Sequence, residues 1–264
     1  MKTFELNNKQ HIPAVGFGVF MIPNDGPTYD ATLAALKAGY RHIDTAAGYM
    51  NESDVGKAIK DSGIDRQDIF ITSKLWLQDY GYENAKKGIE NSLRLLGVDY
   101  IDLYLLHQPY GDYLGAWKAL EEAYEEGKLK SIGISNITVN LWNQFKDGMK
   151  VMPAVNQVEF NPFVQQKELR KVMDENHILL EAWYPLGHGN KELLENPVIC
   201  ELADKYHKNA GQIILRWIYQ EGVISLPKST NPERMKGNID IFDFELNAQE
   251  MEKMRALDTG KPTH

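Results

Sequence analysis

The chain is 264 residues long, 43% hydrophobic and 25% charged, with a formal net charge of −8. That length can bury a large core, and the acidic balance argues against non-specific binding to nucleic acid or to anionic membrane surfaces while leaving room for a local basic pocket. No run approaches the ~18 apolar residues of a membrane span, no apolar h-region follows the first residues, and the single cysteine, Cys200, excludes an intramolecular disulfide, so the expected location is the reducing cytoplasm.

In chain order, the first signal is Phe4-Glu-Leu-Asn-Asn-Lys-Gln-His-Ile12, two short runs around Asn7-Asn8 that predict a β-hairpin. Eight short β-rich apolar runs follow, at 15–18, 42–44, 69–73, 101–106, 131–134, 155–159, 178–183 and 223–226. Buried parallel strands read as near-continuous apolar runs of this kind. Helical patterns lie between them at 28–38, 52–60, 83–96, 113–126, 167–176 and 211–220. The last of these puts Ile213, Ile214, Trp217 and Ile218 on one face. Gly39 and Gly97 follow their helices as left-handed caps would. Asn51 opens a helix with a side-chain acceptor and has Asp54 three residues on, close to a capping box. Strand and helix alternating eight times predict a (β/α)8 TIM barrel, a single domain over 1–264. The hairpin would cap its bottom, and one more helix at 248–257 leaves only a short C-terminal segment.

In such a barrel, reacting groups stand at the C-terminal ends of the strands. Asp44, Tyr49, Lys74 and His107 fall at or just past the ends of the second, third and fourth runs. A charge or polar ring there is costly unless it is paired or used. Together the four can protonate a carbonyl oxygen. Tyr49 would donate the proton, and the Lys74 ammonium would lower a phenol otherwise near pKa 10. Asp44 would hold Lys74, and His107 would orient the substrate oxygen. Singly, each has a plainer use: Asp44 as a turn cap, Tyr49 as packing, Lys74 as a paired strand-end charge, His107 as a core histidine. The combination at three strand ends carries the weight. Gly16-Phe-Gly18 lacks the third glycine of a Rossmann fingerprint, no Walker A or His-Glu-x-x-His sequence occurs, and the seven histidines lack ligand spacing, so no metal is expected.

The stretches Gly16-Phe-Gly18, His42-Ile-Asp44-Thr-Ala-Ala-Gly-Tyr49, Ile71-Thr-Ser-Lys74-Leu-Trp76, Leu105-Leu-His107, Gly133-Ile-Ser135-Asn136, Asn156-Gln157, Trp183-Tyr-Pro-Leu-Gly187 and Leu226-Pro-Lys228-Ser229 resemble the aldo-keto reductase family, in order and over nearly the whole chain. The short C-terminal segment resembles the compact bacterial branch, which includes 2,5-diketo-gluconate and glyoxal-type reductases. The resemblance implies a (β/α)8 barrel that reduces aldehydes and ketones with NADPH, NADH serving less well. It implies a catalytic tetrad of Asp44, Tyr49, Lys74 and His107, with Tyr49 the general acid. Ser135, Asn136 and Gln157 would bind the nicotinamide carboxamide, whose donors and acceptor their side chains match. Trp183 would stack on the nicotinamide ring, and Leu186 and Gly187 would offer backbone N–H groups to the pyrophosphate. Lys228, Ser229, Asn231, Arg234 and Asn238 would hold the adenosine end, where arginine suits a 2′-phosphate. Asn231-Pro232 also reads as a helix N-cap with proline at N1, itself an anion site. Gly237 stands where many relatives carry glutamate, which weakens the adenine contact.

Phe20, Trp76, His107, Gln108 and Tyr110 would line the substrate pocket. Glutamine at 108, where many relatives have tryptophan, points to small polar carbonyl substrates in an open mouth. The family is often monomeric. Two other readings stand beside this one: a barrel lyase or aldolase with Lys74 as Schiff-base nucleophile, and a non-catalytic NADPH-binding subunit. Pairing of Lys74 with Asp44 argues against the first, because a paired lysine stays protonated.

Overall fold

The computed structural model describes residues 2–262. Its elements are β1 (Thr3–Glu5), β2 (His11–Pro13), β3 (Phe17–Gly18), α1 (Pro27–Ala38), β4 (His42–Asp44), α2 (Glu52–Asp61), β5 (Phe70–Leu75), α3 (Tyr82–Leu96), β6 (Leu103–Leu106), α4 (Tyr113–Glu125) and β7 (Ile132–Ser135). They continue with α5 (Val139–Phe145), β8 (Val155–Glu159), α6 (Lys167–Glu175), β9 (Leu179–Trp183), α7 (Lys191–Leu194), α8 (Pro197–Tyr206), α9 (Ala210–Gln220), β10 (Ile224–Ser225), α10 (Pro232–Ile239) and α11 (Ala248–Arg255). Strands β3 to β10 form one parallel sheet in sequence order. Val15 pairs with Ser225 and brings the two edges together. Gly16 N–H donates to Ser225 O at 2.8 Å, and Ser225 N–H to Ala14 O at 3.0 Å. This is the (β/α)8 arrangement that the eight apolar runs predict.

Gly39 and Gly97 take φ of 111° and 65° and end α1 and α3 as left-handed caps. Asn231 caps α10, its carboxamide oxygen accepting from the backbone of Glu233 and Arg234. Asn51 behaves differently from expectation. It precedes α2 but makes no side-chain cap. Its carboxamide is fully buried and accepts from Thr45 Oγ1 at 2.8 Å while donating to Val19 O at 3.2 Å, Ile22 O at 3.3 Å and Thr28 Oγ1 at 3.2 Å. Three acceptors and a donor outweigh one cap bond, so the side chain turns inward and pins the β3–α1 loop to the end of β4. Asp54 likewise accepts from Gly26 N–H at 3.0 Å.

The main core lies between strands and helices, with Trp117, Trp142 and Trp217 buried there. A second cluster fills the bottom of the barrel: Leu6 and Ile12 of the β1–β2 hairpin pack on Phe70, Leu103, Leu105, Val155 and Ile224. Asn7 and Asn8 fasten this plug, donating to Pro153 O and Lys130 O at 2.9 Å each. The inward register then changes character. Above the apolar floor come His42, Thr72, Gln157 and Glu181, and above those Asp44 and Lys74. Gly16 allows this layer to close, because a Cβ there would sit 2.6 Å from His42 Nδ1.

Candidate active site

Asp44 and Lys74 reach the top of the barrel from β4 and β5, Tyr49 from the short turn after β4, and His107 from just past β6. The Lys74 ammonium is wholly buried and all three of its hydrogens have acceptors: Asp44 Oδ1 at 2.6 Å, Thr45 O at 2.9 Å and Tyr49 Oη at 3.3 Å. The Tyr49 oxygen accepts here, so its own hydrogen is left to point into the open space above. The His107 ring meets Tyr49 edge-on with centroids 5.5 Å apart, and Trp76 and Phe20 flank the two at 4.9 Å from His107 and 5.0 Å from Tyr49. Gly48 makes room for Trp76, whose ring lies 2.9 Å from where a Cβ would be.

Burial works against the charged form of Lys74, but Asp44 and Tyr49 outweigh it and the amine ends above its ordinary range. A Schiff-base role is disfavoured accordingly. The expectation for Tyr49 needs correction. Burial raises its phenol above the usual value, Lys74 pulls it down, and the Asp44 charge offsets part of that pull. Tyr49 therefore holds its proton at neutral pH, with Lys74 offsetting only part of the rise that burial causes. His107 is pushed down to about 3 by burial and by Lys74. Its neutral ring has Nδ1 buried without a hydrogen-bond partner among the described residues. An orphaned acceptor is less costly than an orphaned donor, which puts the ring hydrogen on Nε2, ready to donate.

These groups open into a cavity of about 1130 Å³ that runs to the start of α10. A drug-sized ligand needs about 300–1,000 Å³, so the space suits something larger than a small carbonyl compound. Ser135, Asn136, Gln157, Trp183, Leu186, Lys228, Ser229, Asn231, Arg234 and Asn238 line it, as do Phe20, Trp76, His107 and Gln108. Two expected residues do not. Tyr110 is 64% exposed outside the lining. Gly187 is buried outside it, and its N–H is already given to Tyr184 O at 2.9 Å.

Gln157 also has less to offer than expected. Its amide nitrogen donates to Asp44 Oδ2 at 2.8 Å and to Glu181 Oε2 at 2.7 Å, leaving only the carbonyl oxygen for a ligand. Asn136, in a left-handed conformation with φ 59°, accepts from Trp183 Nε1 at 3.0 Å and donates to Gln108 Oε1 at 3.4 Å. At the far end, Lys228 and Arg234 are exposed and in no ion pair among the described residues. Sequence reasoning missed Tyr184, His188, Lys191 and Asn209 in the lining. Tyr184 and His188 carry φ of 52° and 53° beside Gly187 and Gly189, and the Gly-His-Gly sequence was the available signal of an unusual loop. Glu181 was missed as well: it sits in an apolar strand and has no motif around it.

Among the described residues no group of three His, Cys, Asp or Glu side chains is placed to hold a metal ion, and no helix is long and apolar enough to cross a membrane. Residues 15–259 match the model of the aldo/keto reductase family. Glyoxal reductase of Bacillus subtilis is 46% identical over 256 residues, covering 97% of this chain and 92% of that protein. The crystal structure of an aldo/keto reductase from Brucella melitensis superposes with a TM-score of 0.93 at 46% identity, covering 97% of this chain and 99% of the other. A Bombyx mori aldo-keto reductase solved in complex with NADP gives 0.93 at 32% identity, covering 100% and 94%. With the four converging groups and the barrel that carries them, this likeness over nearly the whole length means that the chain belongs to the aldo/keto reductase family.

Proposed function

We propose that this chain reduces small polar aldehydes and ketones to alcohols with NADPH, Tyr49 delivering the proton. The observation that carries this reading is the saturated Lys74 ammonium, which leaves the Tyr49 hydrogen aimed at the cavity. The cavity suits a dinucleotide: it is lined by the flat Trp183 ring as well as by Tyr49, and it ends at two unpaired cations beside a helix N-terminus. The Gln157 oxygen and the second lone pair of Asn136 Oδ1 offer acceptors to a carboxamide, since the Asn136 amide nitrogen already donates to His107 O and Gln108 Oε1; Trp183 offers a face to the nicotinamide, and Lys228 with Arg234 a counter-charge for a 2′-phosphate. When bound, NADPH supplies the hydride. The chain's own part is to hold the carbonyl oxygen between Tyr49 Oη and His107 Nε2 and to surrender the phenolic proton as charge develops there.

Gln108 narrows the substrate class. Asn136 donates to its Oε1, which leaves its NH2 group as a donor beside His107. A carbonyl compound with a second oxygen on the neighbouring carbon, such as a 1,2-dicarbonyl or an α-hydroxy aldehyde, matches that pair of donors. The bacterial relative named glyoxal reductase accords with this class. We read the protein as a monomer, as members of this family often are, and as cytoplasmic, given its single cysteine. The test is a carbonyl panel with NADPH and with NADH, followed at the nicotinamide absorbance band. Turnover of 1,2-dicarbonyls above matched monocarbonyls, faster with NADPH, is expected. Tight NADPH binding with no turnover anywhere on the panel would overturn the reading.

A further inference from the structure

The layer beneath the tetrad holds a carboxyl group that the reaction does not require. Glu181 lies on β9, wholly buried in the barrel interior. Its Oε2 accepts from Gln157 Nε2 at 2.7 Å, and the same nitrogen donates to Asp44 Oδ2 at 2.8 Å. Asp44 Oδ1 in turn receives Lys74 at 2.6 Å, and Lys74 reaches Tyr49 at 3.3 Å. One unbroken line of hydrogen bonds therefore joins Glu181 to the phenol. We propose that Glu181 is a positioning residue of this reductase: a carboxyl carrying its own proton holds Gln157, Gln157 holds Asp44, and Asp44 with Lys74 sets how firmly Tyr49 keeps its hydrogen. The inference rests on the reductase reading above.

Charge counting inside the dry barrel supports it. Two carboxyls share one neutral amide and one ammonium. Were both ionised, the interior would carry an uncompensated negative charge, which burial opposes strongly. Asp44 has the ammonium bonded to it at 2.6 Å; Glu181 bonds only the amide and feels the same ammonium less strongly than it feels Asp44. The proton therefore resides on Glu181, whose carboxyl burial pushes up to about 8, with the Asp44 charge adding to the rise. The two carboxyls and the lysine titrate as a set.

No other group nearby supplies a counter-charge. From β4, His42 Nε2 lies 3.8 Å from Glu181 Oε1, but its ring is bonded to Thr72 Oγ1 at 2.9 Å and burial holds it neutral. From β10, the register partner is Ile224. Glu181 Oε1 has no hydrogen-bond partner among the described residues. A leucine would fill such a site more cheaply, so packing alone does not explain an acid there.

The sign of the effect follows. Above its own ionisation Glu181 adds a negative charge behind Asp44 and Lys74. That charge opposes phenolate formation and keeps the Tyr49 proton in place to higher pH. Glu181→Gln keeps shape and the bond from Gln157 but cannot ionise. The alkaline limb of kcat/KM for reduction should move down by about 0.5 pH unit. Glu181→Leu deprives Gln157 of its anchor, and kcat should fall about tenfold while the carbonyl KM moves less than twofold. Infrared difference spectra read the proton directly: the wild-type minus Glu181→Gln spectrum at pH 6 should show a protonated carboxyl band, over any from the buried Glu52 carboxyl. An unmoved alkaline limb, a kcat unchanged in folded Glu181→Leu, or no protonated carboxyl band in that difference spectrum would each overturn the proposal. If these fail while Tyr49→Phe still abolishes turnover, the reductase reading stands and only the role of Glu181 falls.

Discussion

Tyr49→Phe removes one oxygen atom and keeps the ring. The ring retains its contacts with Phe20 and His107. Lys74 loses its longest hydrogen bond, 3.3 Å, but keeps Asp44 at 2.6 Å and Thr45 O at 2.9 Å. A hydrogen bond of that kind contributes about 0.5–1.5 kcal/mol, so the melting temperature should move by no more than roughly 2–5 °C in a chain of this size. Loss of a positioned general acid typically costs about 10²–10⁴ in rate, equivalent to roughly 3–5 kcal/mol of barrier. The cofactor-facing residues are untouched. NADPH quenching of intrinsic fluorescence should therefore titrate as in the wild-type chain, while kcat falls at least a hundredfold. Both are measured on one preparation, with thermal melting as the control for folding. Turnover within tenfold of wild type in a folded variant would refute Tyr49 as the proton source.

Three further outcomes follow from the same geometry. Lys74→Met strands Asp44 in the barrel interior without its cation, which should cost about 3–5 kcal/mol in unfolding free energy and abolish turnover; chemical denaturation and the NADPH assay read the two effects. Arg234→Ala should raise the NADPH dissociation constant about tenfold and leave that of NADH nearly unchanged, since only the former carries a 2′-phosphate; fluorescence titration with both cofactors decides it. His42 is held neutral, its folded value near 3 against 6.5 unfolded. A depressed folded value means that the unfolded chain binds the extra proton, so the stability His42 contributes is full above pH 6.5 and is lost as pH falls toward 3. The destabilisation of His42→Gln relative to wild type should therefore shrink by about 1.5–2 kcal/mol between pH 6.5 and pH 5.

The barrel was legible because its strands are short apolar runs and its helices are amphipathic, and because Gly39, Gly97 and Asn231 punctuate them with local chemistry. Asp44, Tyr49, Lys74 and His107 were legible because each breaks an apolar pattern at a strand end. What the pattern hid is the direction in which a polar side chain spends its bonds. Asn51 has the spacing of a cap yet pins three segments instead. Lys74 was expected to dominate the Tyr49 phenol, but the depth of the pocket, which no spacing reveals, reverses the net shift. Glu181 lies in a run that reads as plain strand, and only the curling of the sheet brings it beside Gln157 and Asp44. Tyr184 and His188 enter the cavity through left-handed backbone that their residue types do not announce.

The buried carboxamide of Asn51 has a consequence for redesign. It grips the loop that carries Phe20 and the segment that leads into Tyr49, so a wall of the mouth and the proton donor form one mechanical piece. A graft that reshapes the first loop to admit a bulkier carbonyl will drag the phenol with it. On this scaffold selectivity and speed are inherited together, and an engineer must re-seat both or lose one.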